Sequence, residues 1–325
     1  MPSPHTSTPD TVILGIQLPE ALLALIREAA GPETRIQIAA SEPALLPLMP
    51  EATILLAVDF TPAMLAAAPR LRWVHGFGAG VESLLFPAMR ASKVAFTNAR
   101  GAHRVAMPEY VLMAMLSWTH HLPALLQAQQ RREWVQPLAE EVAGKTLGLL
   151  GYGEIGRAVA ARAAALGVRC VAFRRHPQQR TGQRLAERVY GPDDLLPFLG
   201  ACDFVVDSLP LTAETRELIG AREFAAMRPS AVFISLGRGA TVNQAALLLA
   251  LRTHQIAGAF LDVFDREPLA PDSPFWALDN AIITNHTSGN SVHYQKRSVE
   301  IFCDNLRRYF AGQRLRNVVN KRLGY

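Results

Sequence analysis

The stretch Thr146-Leu-Gly-Leu-Leu-Gly-Tyr-Gly-Glu-Ile-Gly156 carries most of the information about the fold of this 325-residue chain. A short apolar strand runs into the pattern G-x-G-x-x-G, and a helical pattern over residues 157–166 follows. In such a turn the first glycine permits a tight bend, the second lets a pyrophosphate approach the backbone, and the third lets helix and strand pack closely. The helix N-terminus adds N–H groups that favour an anion. The motif therefore predicts a βα unit that binds a dinucleotide.

Short apolar runs alternate with helical patterns on both sides of this stretch. Such alternation is typical of parallel sheets with helices on both faces. The predicted strands are 12–16, 35–40, 53–58, 71–76 and 94–98 in the first part, and 146–150, 168–173, 203–207, 231–235, 258–261 and 281–284 in the second. We therefore predict an α/β fold with two doubly wound βα lobes, the second of them a six-stranded Rossmann domain.

Two further helical patterns set the domain organisation. One long helix is predicted over residues 108–134, as a spacer between the lobes, and an amphipathic helix within residues 291–312 follows the last strand. We predict that residues 1–103 form the first part of a substrate domain, that residues 104–289 form the dinucleotide-binding domain, and that residues 290–325 return to the substrate domain. Trp134 is expected to pack in the core or at an interface.

Composition excludes several classes of protein. Lys plus Arg is 33 and Asp plus Glu is 28, a net charge of +5, which leaves nucleic acid and small anions open as partners. No nucleic-acid motif or basic stripe is present, so no nucleic acid is expected. Three dispersed cysteines argue against a disulfide scaffold and suit the cytoplasm. No apolar run is long enough for a membrane span, and the adjacent pair His120-His121 lacks the spacing of a metal site.

The end of the strand after the glycine-rich turn bears on the choice of cofactor. An NAD enzyme usually has an acid there, which accepts a hydrogen bond from the ribose 2′-hydroxyl. This chain instead has Phe173-Arg174-Arg175-His176, and two guanidinium groups suit a 2′-phosphate. The alternative is two solvated arginines at a strand end. We predict that NADP(H) is preferred and that NAD(H) is possible.

Reactive side chains follow three successive strands of the second part. Arg238 follows the first, Asp262 and Glu267 the next, and His286 the third. Because carboxyl ends of parallel strands meet at one edge, these groups are expected to lie together beside the cofactor. Arg binds a carboxylate, His donates a proton to a carbonyl oxygen, and Glu orients the His. Each residue alone would be read as an ordinary loop residue, and their joint placement favours a catalytic site for ketone reduction.

These motifs make the chain resemble the D-isomer-specific 2-hydroxyacid dehydrogenase family over nearly its full length. The matching segments are Gly151–Gly156, 208–215 (SLPLTAET), 236–239 (LGRG), 262–268 (DVFDREP), 286–289 (HTSG), 74–82 (VHGFGAGVE) and 300–312. The resemblance implies a flavodoxin-like substrate domain beside the Rossmann domain, and a homodimer. One departure is Asn285, which stands before His286 where the family usually has Pro.

The resemblance also implies a set of site residues. The catalytic residues are Arg238, Glu267 and His286. The substrate is bound by the backbone of Ala79 and Gly80 together with Arg238 and His286. The cofactor-binding residues are Gly151, Gly153, Glu154, Ile155, Gly156, Arg174, Arg175, Leu209, Pro210, Thr215, Leu236, Gly237, Asp262 and Gly289.

The resulting functional prediction is an NAD(P)-dependent oxidoreductase of the glyoxylate/hydroxypyruvate reductase type. It would reduce a small 2-keto acid to a D-2-hydroxy acid by hydride transfer, with His286 as the proton donor. The alternative is a dinucleotide-sensing binding protein, similar to the transcriptional corepressors of the family, with little turnover.

Overall fold

The computed structural model describes residues 9–178 and 185–325, which fall into two compact units. The first unit contains Met1–Ala102 and Ser291–Tyr325, and the second contains His103–Asn290. In chain order the elements are β1 (Thr11–Leu14), α1 (Glu20–Ala30), β2 (Arg35–Ile38), α2 (Glu42–Leu45), β3 (Ile54–Ala57), α3 (Pro62–Ala66), β4 (Trp73–Gly76), α4 (Pro87–Ala91), β5 (Ala95–Asn98), α5 (Ala106–Thr119), α6 (Leu122–Arg131), β6 (Thr146–Leu150), α7 (Glu154–Ala163), β7 (Arg169–Phe173), β8 (Arg188–Tyr190), α8 (Leu195–Gly200), β9 (Phe204–Asp207), α9 (Ala221–Ala226), β10 (Val232–Ser235), α10 (Gln244–Arg252), β11 (Gly258–Leu261), β12 (Ala281–Ile283) and α11 (Tyr294–Phe310).

The first unit is built on a parallel sheet with strand order β2-β1-β3-β4-β5. This is the flavodoxin-like order of doubly wound folds. The tail helix α11 belongs to this unit: its apolar stripe of Val299, Phe302 and Leu306 joins the cluster that contains Val12 and Trp73. The sheet therefore has one face closed by residues that arrive from the end of the chain.

The second unit is built on a parallel sheet with strand order β12-β11-β10-β9-β6-β7-β8. The order reverses between β6 and β9, as in the Rossmann fold. Both faces are covered: Val232 and Ile234 of β10 enter one apolar cluster, and Phe233 between them enters the other. The predicted α/β fold class with two doubly wound lobes is confirmed.

Two sequence predictions about this unit were wrong in detail. The sheet has a seventh strand, β8, which the sequence did not indicate because its three residues begin with an arginine and form no apolar run. The single helix expected over 108–134 is two helices, because His121 takes a left-handed φ of 53° and Pro123 follows as an early residue of α6. Trp134, for which the sequence predicted packing in the core or at an interface, lies outside both helices and is 90% exposed, so core packing is excluded and an interface stays a prediction.

Within residues 9–178 and 185–325, no helix is both long enough and apolar enough to cross a membrane.

Candidate active site

The glycine-rich turn after β6 has the shape that a pyrophosphate needs. Gly151 has a φ of 92°, which favours glycine, and a Cβ on Gly156 would lie 2.3 Å from the carbonyl oxygen of Gly151. These contacts hold the start of α7 against the strand end. A Cβ on Gly153 would meet nothing within 4 Å, so the backbone there borders open space. Glu154 and Ile155 form the first turn of α7. The residues present therefore fit a dinucleotide phosphate at this helix N-terminus.

The end of β7 carries the two arginines beside this turn. Burial raises the pKa of Tyr152 in the glycine-rich turn. Arg174 lies close enough to Tyr152 that its positive charge partly offsets this rise. Arg175 forms an ion pair with Glu214, which belongs to the loop after β9. The basic pair thus borders the cofactor turn, and one of its members already has a carboxylate partner.

The strand-end loops of β11 and β12 bring Glu267 and His286 together. His286 Nδ1 lies 2.7 Å from Glu267 Oε2, and the other carboxylate oxygen accepts the N–H of Phe264 at 2.9 Å. Nδ1 therefore donates to the carboxylate, which orients the ring and leaves Nε2 for another partner. The His286 side chain is 53% exposed, so Nε2 is accessible. This is the arrangement of an oriented proton donor.

Asp262 holds the loop that carries His286. It is 1% exposed, and its backbone carbonyl accepts the N–H of His286 at 2.8 Å. Its carboxylate accepts the hydroxyl of Thr284 at 2.6 Å and the N–H groups of Thr287 and Ser288. Thr284 gives its only proton to Asp262, so the hydroxyl of Tyr110 donates to Thr284 at 2.8 Å. Burial raises the pKa of Tyr110 to about 12, which keeps this donor protonated.

The loop after β10 places Arg238 next to the loop that carries Glu267. A Cβ on Gly239 would lie 1.9 Å from the carbonyl carbon of Phe264, so the two backbones touch. Arg238 also donates to the carbonyl oxygen of Gly237 at 2.7 Å. Contact between the two loops thus places Arg238 and the His286–Glu267 pair at the same edge of the second sheet.

A buried carboxylate supports the Arg238 loop from beneath. Asp207, at the end of β9, is fully buried, and burial raises its pKa to about 6. Its carboxylate accepts the hydroxyl of Thr241 at 2.5 Å and the N–H of Leu209 at 3.0 Å. The same hydroxyl lies 2.7 Å from the carbonyl oxygen of Arg238. The sequence indicated none of Asp207, Thr241, Tyr110 or Thr284, because each is an ordinary polar residue until the loops are folded.

The remaining predicted cofactor residues differ in their burial and in the contacts they make. Leu209 and Leu236 are 8% and 3% exposed, and their side chains pack in the apolar clusters of the second unit. Thr215 donates its hydroxyl to the carbonyl of Pro210 at 2.6 Å and stabilises that loop. Gly289 contacts His103, since a Cβ there would lie 2.6 Å from His103 Nδ1.

In the first unit, Ala79 and Gly80 lie in the loop after β4 and are half-buried. Asn98 at the end of β5 donates to the carbonyl of Ala79 at 2.6 Å. His75, one residue before the end of β4, is fully buried and lies 2.7 Å from the Thr97 hydroxyl. His75 is therefore a core residue of this unit, and the half-buried part of the loop begins at Gly78.

Comparison with known families decides the class of this site. Residues 112–288, more than half of the chain, match the model described as D-isomer specific 2-hydroxyacid dehydrogenase, NAD binding domain. The chain belongs to this family. The predicted family and the predicted oxidoreductase class are thereby confirmed, and the second unit is the part that binds a nicotinamide dinucleotide.

Several members of the family are similar along most of the chain. Glyoxylate/hydroxypyruvate reductase B of Salmonella newport is 33% identical over 266 residues, which is 79% of this chain and 81% of that protein. The D-3-phosphoglycerate dehydrogenase of Methanocaldococcus jannaschii is 29% identical over 78% of this chain, which spans only 48% of that longer protein. A crystal structure of an NADPH-dependent glyoxylate/hydroxypyruvate reductase from Sinorhizobium meliloti, in complex with NADP and sulfate, has a TM-score of 0.84 at 28% identity and covers 97% of this chain and all of that one.

Proposed function

We propose that this 2-hydroxyacid dehydrogenase reduces a small 2-keto acid, of the glyoxylate or hydroxypyruvate type, to a D-2-hydroxy acid. The observation that carries the proposal is the His286–Glu267 pair, held at the strand edge that also carries Arg238. The names of the Salmonella and Sinorhizobium relatives support this substrate class. When bound, the reduced nicotinamide dinucleotide supplies the hydride for the substrate carbonyl carbon.

The proton for the carbonyl oxygen comes from His286 in this proposal. Glu267 accepts a hydrogen bond from Nδ1–H and stabilises the charged ring, so protonated His286 presents a second proton at Nε2. Transfer of that proton leaves a neutral ring whose Nδ1–H stays bound to the carboxylate. In the direction of oxidation the same nitrogen accepts the hydroxyl proton.

Charged and backbone groups orient the substrate. The planar guanidinium of Arg238 matches a carboxylate and polarises the adjacent carbonyl. In the first unit, we propose the N–H groups of Ala79 and Gly80 as a carboxylate-binding loop. Recognition of the carboxylate therefore explains why a 2-keto acid, and not a simple ketone, is the substrate class.

We propose NADP(H) as the preferred cofactor. Support comes from Arg174 and Arg175, which directly follow β7 at the sequence positions where an NAD enzyme usually has an acid. The Sinorhizobium relative, which is named NADPH-dependent and was solved with NADP, agrees with this choice. The pyrophosphate would be held by the turn from Gly151 to Gly156, and the nicotinamide would lie near Asp262.

A panel of substrates and cofactors tests the proposal. Purified protein is incubated with NADPH or NADH and with glyoxylate, hydroxypyruvate, pyruvate or phenylpyruvate, and cofactor oxidation is followed by absorbance. We expect turnover with glyoxylate and hydroxypyruvate, a higher kcat/KM with NADPH than with NADH, and D-glycerate as the product of hydroxypyruvate. Absence of turnover with all four acids would refute the proposed activity, and a higher kcat/KM with NADH would refute only the cofactor preference.

Two further proposals concern the state of the protein in the cell. A cytoplasmic location fits its three cysteines, all buried free thiols. A homodimer fits the exposed apolar side chains of Trp134 and Leu138, which are 90% and 92% exposed in the single chain. Sedimentation of wild-type protein and of a Trp134→Ser, Leu138→Ser double variant tests the dimer. A monomeric wild type, or an unchanged dimer in the variant, would contradict this interface.

A further inference from the structure

The loop after β4 has its carbonyl oxygens bound to three separate donors. Phe77 accepts the hydroxyl of Tyr294 at 3.1 Å, Gly78 accepts the N–H of Ala99 at 3.0 Å, and Ala79 accepts the side-chain amide of Asn98 at 2.6 Å. All of these residues belong to the first unit. Three successive peptide groups are thus held from the carbonyl side.

Each bound carbonyl also fixes the direction of the next N–H. In a trans peptide the C=O of one residue and the N–H of the next point in opposite directions. Tyr294 therefore fixes the direction of the Gly78 N–H, and Asn98 fixes the direction of the Gly80 N–H. The backbone N–H of Ala99, which binds the Gly78 carbonyl, fixes the direction of the Ala79 N–H.

The three N–H groups are directed away from the protein groups that hold the carbonyls. Across residues 9–178 and 185–325, no protein group accepts a hydrogen bond from the N–H of Gly78, Ala79 or Gly80. The preceding N–H, that of Phe77, is used inside the sheet, where it donates to Ala57 at 2.8 Å. A row of unsatisfied N–H groups in a half-buried loop attracts an anion.

We infer that Asn98 and Tyr294 are positioning residues that hold the substrate-binding loop in its carboxylate-binding form, with Gly78 as a third donor. The inference rests on the proposed function, because it takes the anion to be the substrate carboxylate. Asn98 suits this role because it is 6% exposed and its side-chain oxygen accepts the N–H of Arg100 at 3.3 Å. Its amide nitrogen is thereby directed at Ala79.

The matched control residues lie on the same helix as Tyr294. Asn305 is fully buried, and its side-chain amide donates to the carbonyl of Arg316 at 3.0 Å, about three turns along α11 from Tyr294. Tyr309 stacks on Trp73 with ring centroids 5.7 Å apart. Asn305→Ala and Tyr309→Phe therefore remove comparable groups from the same unit without touching the loop.

The experiment compares Asn98→Ala and Tyr294→Phe with these controls. We measure KM and kcat for glyoxylate, the Kd of NADPH, and the calorimetric Kd of oxamate, a keto acid analogue that is not reduced. We expect KM and the oxamate Kd to rise about tenfold in Asn98→Ala and by a smaller factor in Tyr294→Phe. We expect kcat and the NADPH Kd to stay within about twofold, and both control variants to keep the wild-type KM and oxamate Kd.

The outcomes separate this inference from the proposed function. If the wild type reduces keto acids but the folded Asn98→Ala and Tyr294→Phe variants keep the wild-type KM and oxamate Kd, the inference is wrong and the function stands. If the wild type reduces no keto acid, the proposed function is wrong. Weaker oxamate binding in the two variants would then still support the anion-binding role of the loop. Tyr294→Phe keeps the test open should Asn98→Ala fail to fold.

Discussion

At the scale of single residues, the site depends on what each side chain touches. The sequence predicted Arg238, Glu267 and His286 as one set because all three follow strand ends. It did not predict that Glu267 divides its two carboxylate oxygens between His286 and the N–H of Phe264. That division requires a loop conformation, and no spacing of residues along the chain specifies it.

The shared carboxylate leads to a prediction for Glu267→Gln. Glutamine can still accept the N–H of Phe264, but it cannot stabilise a positive charge on His286. We expect kcat for keto acid reduction to fall about 100-fold, with the NADPH Kd unchanged. Asp265→Asn, a neighbouring exposed acid in the same loop, is the control. Equal losses in both variants would contradict the assigned role.

The ion pair between Arg175 and Glu214 leads to a prediction about cofactor affinity. Glu214 competes with a 2′-phosphate for the guanidinium and also repels the phosphate. We expect Glu214→Gln to lower the Kd of NADPH two- to fivefold, roughly the value of a surface ion pair, and to leave the Kd of NADH unchanged. Fluorescence titration measures both values. An equal change for the two cofactors would argue against a phosphate role for Arg175.

At the scale of helices, strands and loops, contact between backbones holds the site together. The loops after β10 and β11 touch at Gly239, whereas the glycine-rich turn is open at Gly153. Both glycines stand in motifs, and the sequence gives no indication that one is needed for packing and the other for ligand access. The difference becomes visible only when neighbouring loops are in place.

The two glycines should therefore respond differently to alanine. A methyl group on Gly239 meets the backbone of Phe264 and Asp265, so Gly239→Ala should lower the free energy of unfolding by about 1–3 kcal/mol and reduce kcat as Arg238 moves. Gly153→Ala should keep the wild-type stability and raise the Kd of NADPH. Denaturant unfolding and cofactor titration measure the two effects. Equal stabilities of the variants would contradict the packing assignment.

Element boundaries show what local sequence can and cannot predict. Strong apolar runs placed β6 and β11 correctly, since burial on both faces of a parallel sheet requires such runs. The short strand β8 was missed because it is an edge strand that pairs only with β7. The break between α5 and α6 was missed because His121 adopts a left-handed conformation that its residue type does not announce.

At the scale of the whole molecule, both units place buried titratable groups at strand ends. Burial lowers the pKa of His75 to about 3, so the folded first unit holds this ring neutral. Burial raises the pKa of Asp207 in the second unit to about 6. The sequence predicted the two lobes from their alternating pattern, but it could not show which polar residues the sheets bury.

These groups give the two units opposite responses to pH. Between pH 6.5 and 3, His75 binds a proton in the unfolded chain but not in the folded one. Its contribution to the free energy of unfolding is therefore full at neutral pH and falls by roughly 1.4 kcal/mol for each pH unit below 6.5. Asp207 has a raised pKa in the folded state, so between pH 3.8 and 6 the folded protein holds a proton that the unfolded chain has lost. Its contribution to the free energy of unfolding therefore falls as the pH rises through this range.

Two variants test these signs by urea unfolding across this pH range. We expect the stability of His75→Phe to fall less than that of the wild type as the solution is acidified. We expect the free energy of unfolding of Asp207→Asn to exceed that of the wild type by the largest amount at neutral pH. Variants whose stability curves run parallel to the wild-type curve would contradict the assignment of these responses to the two groups.

The role of His286 as proton donor in keto acid reduction is tested by the variant His286→Asn. His286 has a φ of 52°, and asparagine tolerates this left-handed conformation, so the loop keeps its backbone. His254→Asn is the control, because His254 has a φ of 50° in a solvent-exposed turn of the same unit. We predict that kcat for glyoxylate falls at least about 100-fold in His286→Asn alone, with the NADPH Kd unchanged. A His286→Asn enzyme with near wild-type kcat would show that His286 is not the proton donor.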